Sequence, residues 1–278
     1  MNDHPFDLAL ALALRAQGAP AEGRYQGASS AHYWNMVGPY GGITAATVMK
    51  AVMQHPDRLG EPVALTVNYV AALTLQPFTL VARIARTNRS TQHWTVEVTQ
   101  VDDQGQPGVV VTATVLTAVR RLTWRQIDHP MPVTPPPEQV PLAKLVDGVA
   151  WLDRYEMRIV EGALPQIWDG KGEHSRTLLW MRDRPLRPLD FLSLASISDL
   201  FYPRVWLRRA TRVPAGTVSM TVYFHASQTE LAAAGTDHLL GLAQAQAYHD
   251  GFFDQSGQIW SRNGHLLVTT HQIVYYKE

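Results

Sequence analysis

The 278-residue chain contains no cysteine, so it has no disulfide framework, no thiolate metal site and no cysteine nucleophile. It also lacks an excess of either charge, since Lys and Arg together equal Asp and Glu and the formal net charge is zero. Nucleic acid and anionic membrane surfaces both need a basic excess, and neither is expected as a partner. No apolar run is long enough to span a bilayer. The longest near the N-terminus, Leu8 to Leu14, is only seven residues and follows Asp3 and Asp7 with no Lys or Arg before it. That is too short for a spanning helix and wrongly flanked for a secretory signal, so it reads as a short helix or strand packed on a soluble, cytoplasmic protein. Four motifs are absent as well. Without GxSxG there is no serine elbow of the α/β-hydrolase kind, and without GxGxxG, GxxxxGK[ST] or HExxH the usual nucleotide and zinc signatures are missing. His265 and His271 share a strand face at most, with no third ligand at suitable spacing, so neither metal nor cofactor is expected.

What is present is a core. The chain is 46% hydrophobic and 17% charged, unlike a disordered sequence. Helix signals occur twice, in "GGITAATVMKAVMQHP" (Gly41–Pro56) and "PLDFLSLASISDLFYP" (Pro188–Pro203), both closed by proline. The rest is β-patterned: "VALTVNYV", "FTLVARIAR", "HWTVEVTQV" and "VVVTATVLTAV" first, then "TVSMTVYFH", "LLGLAQAQAYH", "QIWSRNG" and "HLLVTTHQIVYY". The two halves run in one order. Each has a helix, an interval, a strand ending in an aromatic ("LTVNYVA", "MTVYFHA"), a polar break and three more strands. Between them lies "HPMPVTPPPEQVP" (His129–Pro141), too proline-rich for a helix or central strand. The organisation expected is an N-terminal unit over residues 1–128, a connection over 129–145 and a C-terminal unit over 146–278.

Asp199 is the conspicuous residue. From Phe191 to Phe201 nearly every side chain is apolar or small, and an unpaired carboxylate there costs several kcal/mol or gives up its charge. One reading pairs it with Arg204, Arg208 or Arg209; the other makes it a general base. Thr217 reads alone as an ordinary strand threonine. Gln272 shares the alternation of Val268, Thr270 and Val274, which places an amide either on a buried face, where both its ends need partners, or on a wet edge. "GPYGG" (Gly38–Gly42) is either a tight turn or a set of amides at a helix start that a ligand approaches closely. The repeats are unequal at these points. Aligning Pro56 with Pro203 puts Val52 opposite Asp199, and strand alignment puts Pro62 near Thr217 and only Ala113 to Leu116 near Gln272. One working site per chain is expected, built between the halves.

"GPYGGITAATVMKA", "ASISDLFYP", "GTVSMTVYFHA" and "DQSGQIWSRNGHLLVTTHQ", spread from Trp34 to Tyr276, resemble in order and spacing the TesB-like double-hotdog acyl-CoA thioesterases. The resemblance implies an α+β fold of two tandem hotdog repeats, each an antiparallel sheet wrapped around a central helix. It implies hydrolysis of acyl-CoA to free acid and CoA, with Asp199, Thr217 and Gln272 activating a water and no covalent intermediate. Gly41 and Gly42 are then candidates for binding the substrate carbonyl. A homodimer or higher homo-oligomer is expected, because a curled sheet leaves edges to cover. Two other readings remain at this stage: a non-catalytic acyl-CoA or lipid-binding protein, and an enoyl-thioester hydratase or dehydratase, whose chemistry calls for an Asp–His pair. The stretch after Asp199, "LFYPRVWLRRATRVPAG", diverges from the better-known members, so chain-length preference does not carry over.

Overall fold

The computed structural model describes residues 4–15, 22–102, 104–144 and 148–278, with Leu14 and Arg15 described for their backbone alone. Residue 145, the last of the expected connection, and residues 146 and 147, the first of the expected C-terminal unit, lie outside the described residues, as does Asp3. After α1 (Pro5–Ala9), β1 (Ala13–Arg15) and β2 (Glu22–Ala28) comes α2 (Gly41–Met53). The first half continues with β3 (Glu61–Tyr69), β4 (Pro77–Thr87), β5 (Thr91–Val101) and β6 (Pro107–Ala118). The second half has β7 (Tyr155–Glu161), β8 (Thr177–Asp183), α3 (Phe191–Ile197), α4 (Arg204–Arg209) and β9 (Ala215–Phe224). It closes with α5 (Gln228–Ala234), β10 (Leu239–Gln244), β11 (Tyr248–His249), β12 (Phe252–Ser261) and β13 (Leu266–Tyr276).

All strands join one sheet in the order β1-β2-β4-β5-β6-β3-β9-β13-β12-β10-β8-β7, with β11 paired to β12 and every pairing antiparallel. Read outward from the β3–β9 junction, the two halves repeat each other strand for strand. Register at the junction pairs Thr66 with Thr221, Ala64 with Tyr223 and Asn68 with Ser219, which places a pseudo-twofold axis between the two threonines. A shared irregularity confirms the correspondence. β3 carries an extra residue, Val63, between the pairs Pro62–Thr117 and Ala64–Leu116, and β9 carries Val218 between Thr217–Val274 and Ser219–Ile273. Such bulges bend a strand and re-aim its neighbours, here in the same place twice.

α2 and α3 lie against the buried face. α2 is rich in Ala, Thr and Val and has almost no polar face, and Ala45, Ala46, Val48, Met49, Ala51 and Val52 are wholly buried. The two helices touch where α2 begins and α3 ends. A Cβ on Gly42 would stand 2.3 Å from the Ser196 carbonyl oxygen, so only glycine permits the approach. The Tyr40 hydroxyl donates to that same oxygen at 2.6 Å. This is the double-hotdog architecture that the resemblance implied, one continuous sheet around two helices.

Several expectations are corrected. The second helix does not run from Pro188 to Pro203: α3 stops at Ile197, and the Asp199 and Leu200 amides close tight turns onto Ser196 and Ile197. Proline at 203 disfavours helical backbone at Tyr202 and starts α4 instead. Each half also holds two strands before its helix: the stretch from Leu8 to Leu14, read as a short helix or strand, runs from the end of α1 into β1, whereas β2, β7 and β8 were not expected. "LLGLAQAQAYH" is two strands, broken over residues 245–247. The proline-rich stretch lies on the sheet's outer face, where Trp180 Nε1 donates to the Pro135 carbonyl at 2.9 Å and Val140 packs with Leu178, Trp180 and Leu240. Among the described residues no helix is long and apolar enough to cross a membrane.

Candidate active site

Asp199 projects from the turn just past α3, where the partial negative charge of a helix C-terminus disfavours an anion. None of the arginines that follow pairs with it. Arg204 is fully buried and donates to the carbonyls of Tyr202 and Ser175 and to Thr177 Oγ1, pinning the turn to β8. Arg208 reaches the Gly172 carbonyl and Arg209 reaches Glu278. The partner of Asp199 is instead Gln272, whose Nε2 donates to Asp199 Oδ1 at 2.9 Å. Gln272 lies on the buried face of β13, 3% exposed, beside Val268, Thr270 and Val274 as its alternation implied. Its other end is satisfied by Thr217, whose Oγ1 donates to Gln272 Oε1 at 3.2 Å. Thr217 sits next to the bulge at Val218 and is partly exposed, so the chain of hydrogen bonds runs from the solvent edge inward to the carboxylate.

The second oxygen of Asp199 faces the start of α2. A Cβ on Gly41 would lie 2.7 Å from Asp199 Oδ2, and glycine keeps that approach clear. Ile43 and Thr44 turn their amides to the Tyr40 carbonyl, and the Gly42 amide favours the Asp199 anion instead. Asp199 keeps partial solvent contact, yet protein crowds it enough that burial pushes its carboxyl up to about 7, while Gln272 and the Gly42 N–H pull the other way. The hydroxyls of Tyr40 and Tyr69 are both driven well above the usual phenol range, first by burial and then by Asp199. Tyr69, the last residue of β3, donates to the Gly41 carbonyl at 2.9 Å. The sequence marked it only as an aromatic strand end, and its hydroxyl at the site was missed.

All five residues singled out from the sequence therefore meet in one place: Asp199, Thr217 and Gln272 from the second half, Gly41 and Gly42 from the first. The histidines do not join them. His271 bonds the Asp254 carboxylate at 3.2 Å on the outer face, and His265 is exposed. No cluster of three metal-ligating side chains occurs among the described residues. A carboxyl poised near neutrality, an amide–hydroxyl relay behind it and a helix start in front of it suit the deprotonation of a water next to a polarised carbonyl.

Comparison with known proteins bears on this arrangement. Residues 30–118 match the acyl-CoA thioesterase N-terminal domain and residues 129–276 the acyl-CoA thioesterase C-terminal domain. The chain is similar, at 43% identity and a TM-score of 0.91, to a conserved protein of unknown function with a hot dog fold from Alicyclobacillus acidocaldarius, covering 100% of this chain and 99% of that one. It is similar in fold, at 18% identity and a TM-score of 0.73, to acyl-CoA thioesterase II TesB2 from Mycobacterium marinum, covering 98% of each chain. A more distant likeness, 11% identity and a TM-score of 0.59, is to the dehydratase domain from the CurF module of curacin polyketide synthase, covering 99% of this chain and 100% of that one. No curated protein sequence matches the chain. With both of its repeats matched, the chain belongs to the acyl-CoA thioesterase family.

Proposed function

We propose that this protein hydrolyses an acyl-CoA thioester to the free acid and CoA, using Asp199 as general base. The observation that carries this reading is the relay from Thr217 through Gln272 to Asp199, set opposite the glycine start of α2. In the proposed reaction a water lies between Thr217 and Asp199. Asp199 takes one of its protons as the water oxygen bonds to the thioester carbon, and the carbonyl electron pair moves onto oxygen. The amides of Gly41 and Gly42 stabilise that oxyanion. Collapse re-forms the carbonyl and breaks the carbon–sulfur bond; the CoA thiolate leaves and recovers the proton from Asp199. Gln272 has no proton to exchange; its amide fixes the carboxylate and the threonine in register, an orientation contribution.

The test is CoA release from a panel of straight-chain, branched and aryl acyl-CoAs, read with a thiol reagent. The wild-type protein is expected to release CoA from at least one of them. Asp199→Ala is expected to lower kcat/KM by about 10³-fold, in the range of a lost general base, in a protein that still unfolds in one cooperative transition. Silence of the wild type against the whole panel would overturn hydrolysis and leave binding as the function. Conversion of an enoyl-CoA without CoA release would favour hydration, although among the described residues no histidine bonds any of the five site residues.

A further inference from the structure

We infer that Tyr69 is a positioning residue that strengthens the Gly42 N–H as a donor, by way of the peptide between Gly41 and Gly42. This rests on the hydrolase reading for its effect on rate. The carbonyl of Gly41 and the N–H of Gly42 belong to one planar trans peptide and point in opposite directions. The Tyr69 hydroxyl holds the oxygen end at 2.9 Å, and the N–H end is one of the two groups that favour the Asp199 anion, beside the Gly41–Asp199 Oδ2 approach. A hydrogen bond accepted by a peptide oxygen polarises the group and makes its N–H a better donor, by roughly 10–30% per bond. The same amide is the proposed oxyanion donor, so Tyr69 acts on the resting carboxylate and on the transition state.

Contact geometry supports a built arrangement. A Cβ placed on Gly41 would lie 2.7 Å from Asp199 Oδ2, 3.3 Å from Tyr69 Oη and 3.4 Å from Tyr69 Cζ, so ring, carboxylate and glycine close on one another. The repeat supplies an internal control. Tyr69 pairs with Val111 in β6, and the corresponding pair in the second half is Phe224 with Val268 in β13. Phe224 has no hydroxyl, and it packs edge-to-face on Phe191, the first residue of α3, with ring centroids 5.8 Å apart. A hydroxyl at this strand end accompanies glycine at the helix start; a bare ring accompanies phenylalanine. The titratable groups that face Asp199 are Tyr40 from the α2 cap, Tyr69 from β3 and Tyr155 from β7, all neutral phenols at neutral pH. No charged side chain is a cause of the Asp199 shift among the described residues.

Tyr69→Phe installs the residue of the other half and is the direct test. With wild type and variant compared on the acyl-CoA hydrolysed best, kcat is expected to fall about tenfold with KM within about twofold, a fraction of the loss from deleting a direct oxyanion donor. The acid limb of kcat/KM is expected to move to higher pH by about half a unit, because the Asp199 anion loses support. The second arm needs no turnover: Asp199 is titrated by carboxyl-carbon NMR in aspartate-labelled protein, assigned with Asp199→Asn. An upward move in Tyr69→Phe supports the inference even if the wild type hydrolyses nothing, in which case only the hydrolase reading fails. An unmoved Asp199 titration in a variant that melts like wild type overturns it, whatever the rate does.

Discussion

The two helix starts are the most instructive pair of places in the molecule. Each opens the core helix of its half, and one begins with glycine where the other begins with phenylalanine. α2 begins with Gly41 beside a tyrosine hydroxyl; α3 begins with Phe191 stacked edge-on against Phe224. The strands that face them differ in kind too. By register from the axis, Gln272 corresponds to Val115, the first paired with Met220 and the second with Leu65, and both are 3% exposed. Thr217 corresponds to Pro62, each beside an equivalent bulge. Strand register and bulge are thus held in common, and a handful of side chains separates a polar site from ordinary core. The phenylalanine side gains apolar packing, whereas the glycine side retains a carboxyl held near neutrality by burial. Functional sites commonly trade stability for chemistry in this way.

Making the glycine side resemble the phenylalanine side should therefore destroy activity without unfolding the protein. The largest effect is expected from Gln272→Val, which gives β13 the residue of β6. Thr217 and Asp199 lose the amide that links them, and kcat/KM should fall about 10²- to 10³-fold. Thermal melting should be unchanged or slightly raised, since a valine is already accommodated at the corresponding point. A variant retaining more than a tenth of wild-type kcat/KM would break the assignment of the relay. Next comes Gly41→Ala. Its methyl must displace the Asp199 carboxylate, 2.7 Å away, and a shift of that order near the reacting centre costs about 10²-fold in rate. Helix propensity favours alanine, so the same change should leave stability within about 1 kcal/mol of wild type. Loss of fold together with activity would show that the helix start is structural.

pH sharpens the contrast thermodynamically. The folded carboxyl of Asp199 sits at about 7 against an unfolded value of 3.8, so the native state holds the proton more tightly. Wild-type stability should fall as pH rises from about 4 to about 7 and level off above it, relative to a variant without the group. Urea melts of wild type and Asp199→Asn at pH 5 and pH 8 should differ in their gap by about 1–3 kcal/mol, with the variant gaining at pH 8. Asp183, likewise buried and raised to about 7, titrates in both proteins and cancels from the difference. A gap independent of pH would mean that Asp199 titrates normally and is no poised base.

The long hairpins were legible because each strand alternates against a single buried face, as β5 does with Gln92, Trp94, Val96, Val98 and Gln100 turned inward. β8 was not, because the proline-rich stretch covers its outer side and leaves it buried on both faces, erasing the period-two signal. β2 has two glycines in seven residues and little β-branched character, so it too was silent. At the site, polar residues out of place in apolar surroundings were visible, hence Asp199 and Gln272. Tyr69 raised no such flag, since an aromatic at a strand end is ordinary. Only the fold reveals that its hydroxyl reaches another element. The helix extending past Asp199 was overread because "SDLFY" has no local stop signal before Pro203, whereas the chain in fact turns to bring Asp199 to β13.

The smallest expected effect lies on the axis itself, where the halves should be indistinguishable. Thr66 and Thr221 stand opposite each other with hydroxyl oxygens 3.0 Å apart, both partly exposed. Either single change to valine leaves one hydroxyl facing a methyl with water still in reach, which should cost about 0.5 kcal/mol. The double change replaces a polar pair by a β-branched apolar pair and should cost no more than either single one, giving a coupling of about 0.5 kcal/mol in a double-mutant cycle of urea melts. Hydrolysis should be unaffected, since the inward neighbours Leu65 and Met220 stay in place. The two single variants should match within about 0.3 kcal/mol. A marked inequality would mean that the divergence of the two halves reaches the central strands, and that the sheet is a less neutral frame than its matched register implies.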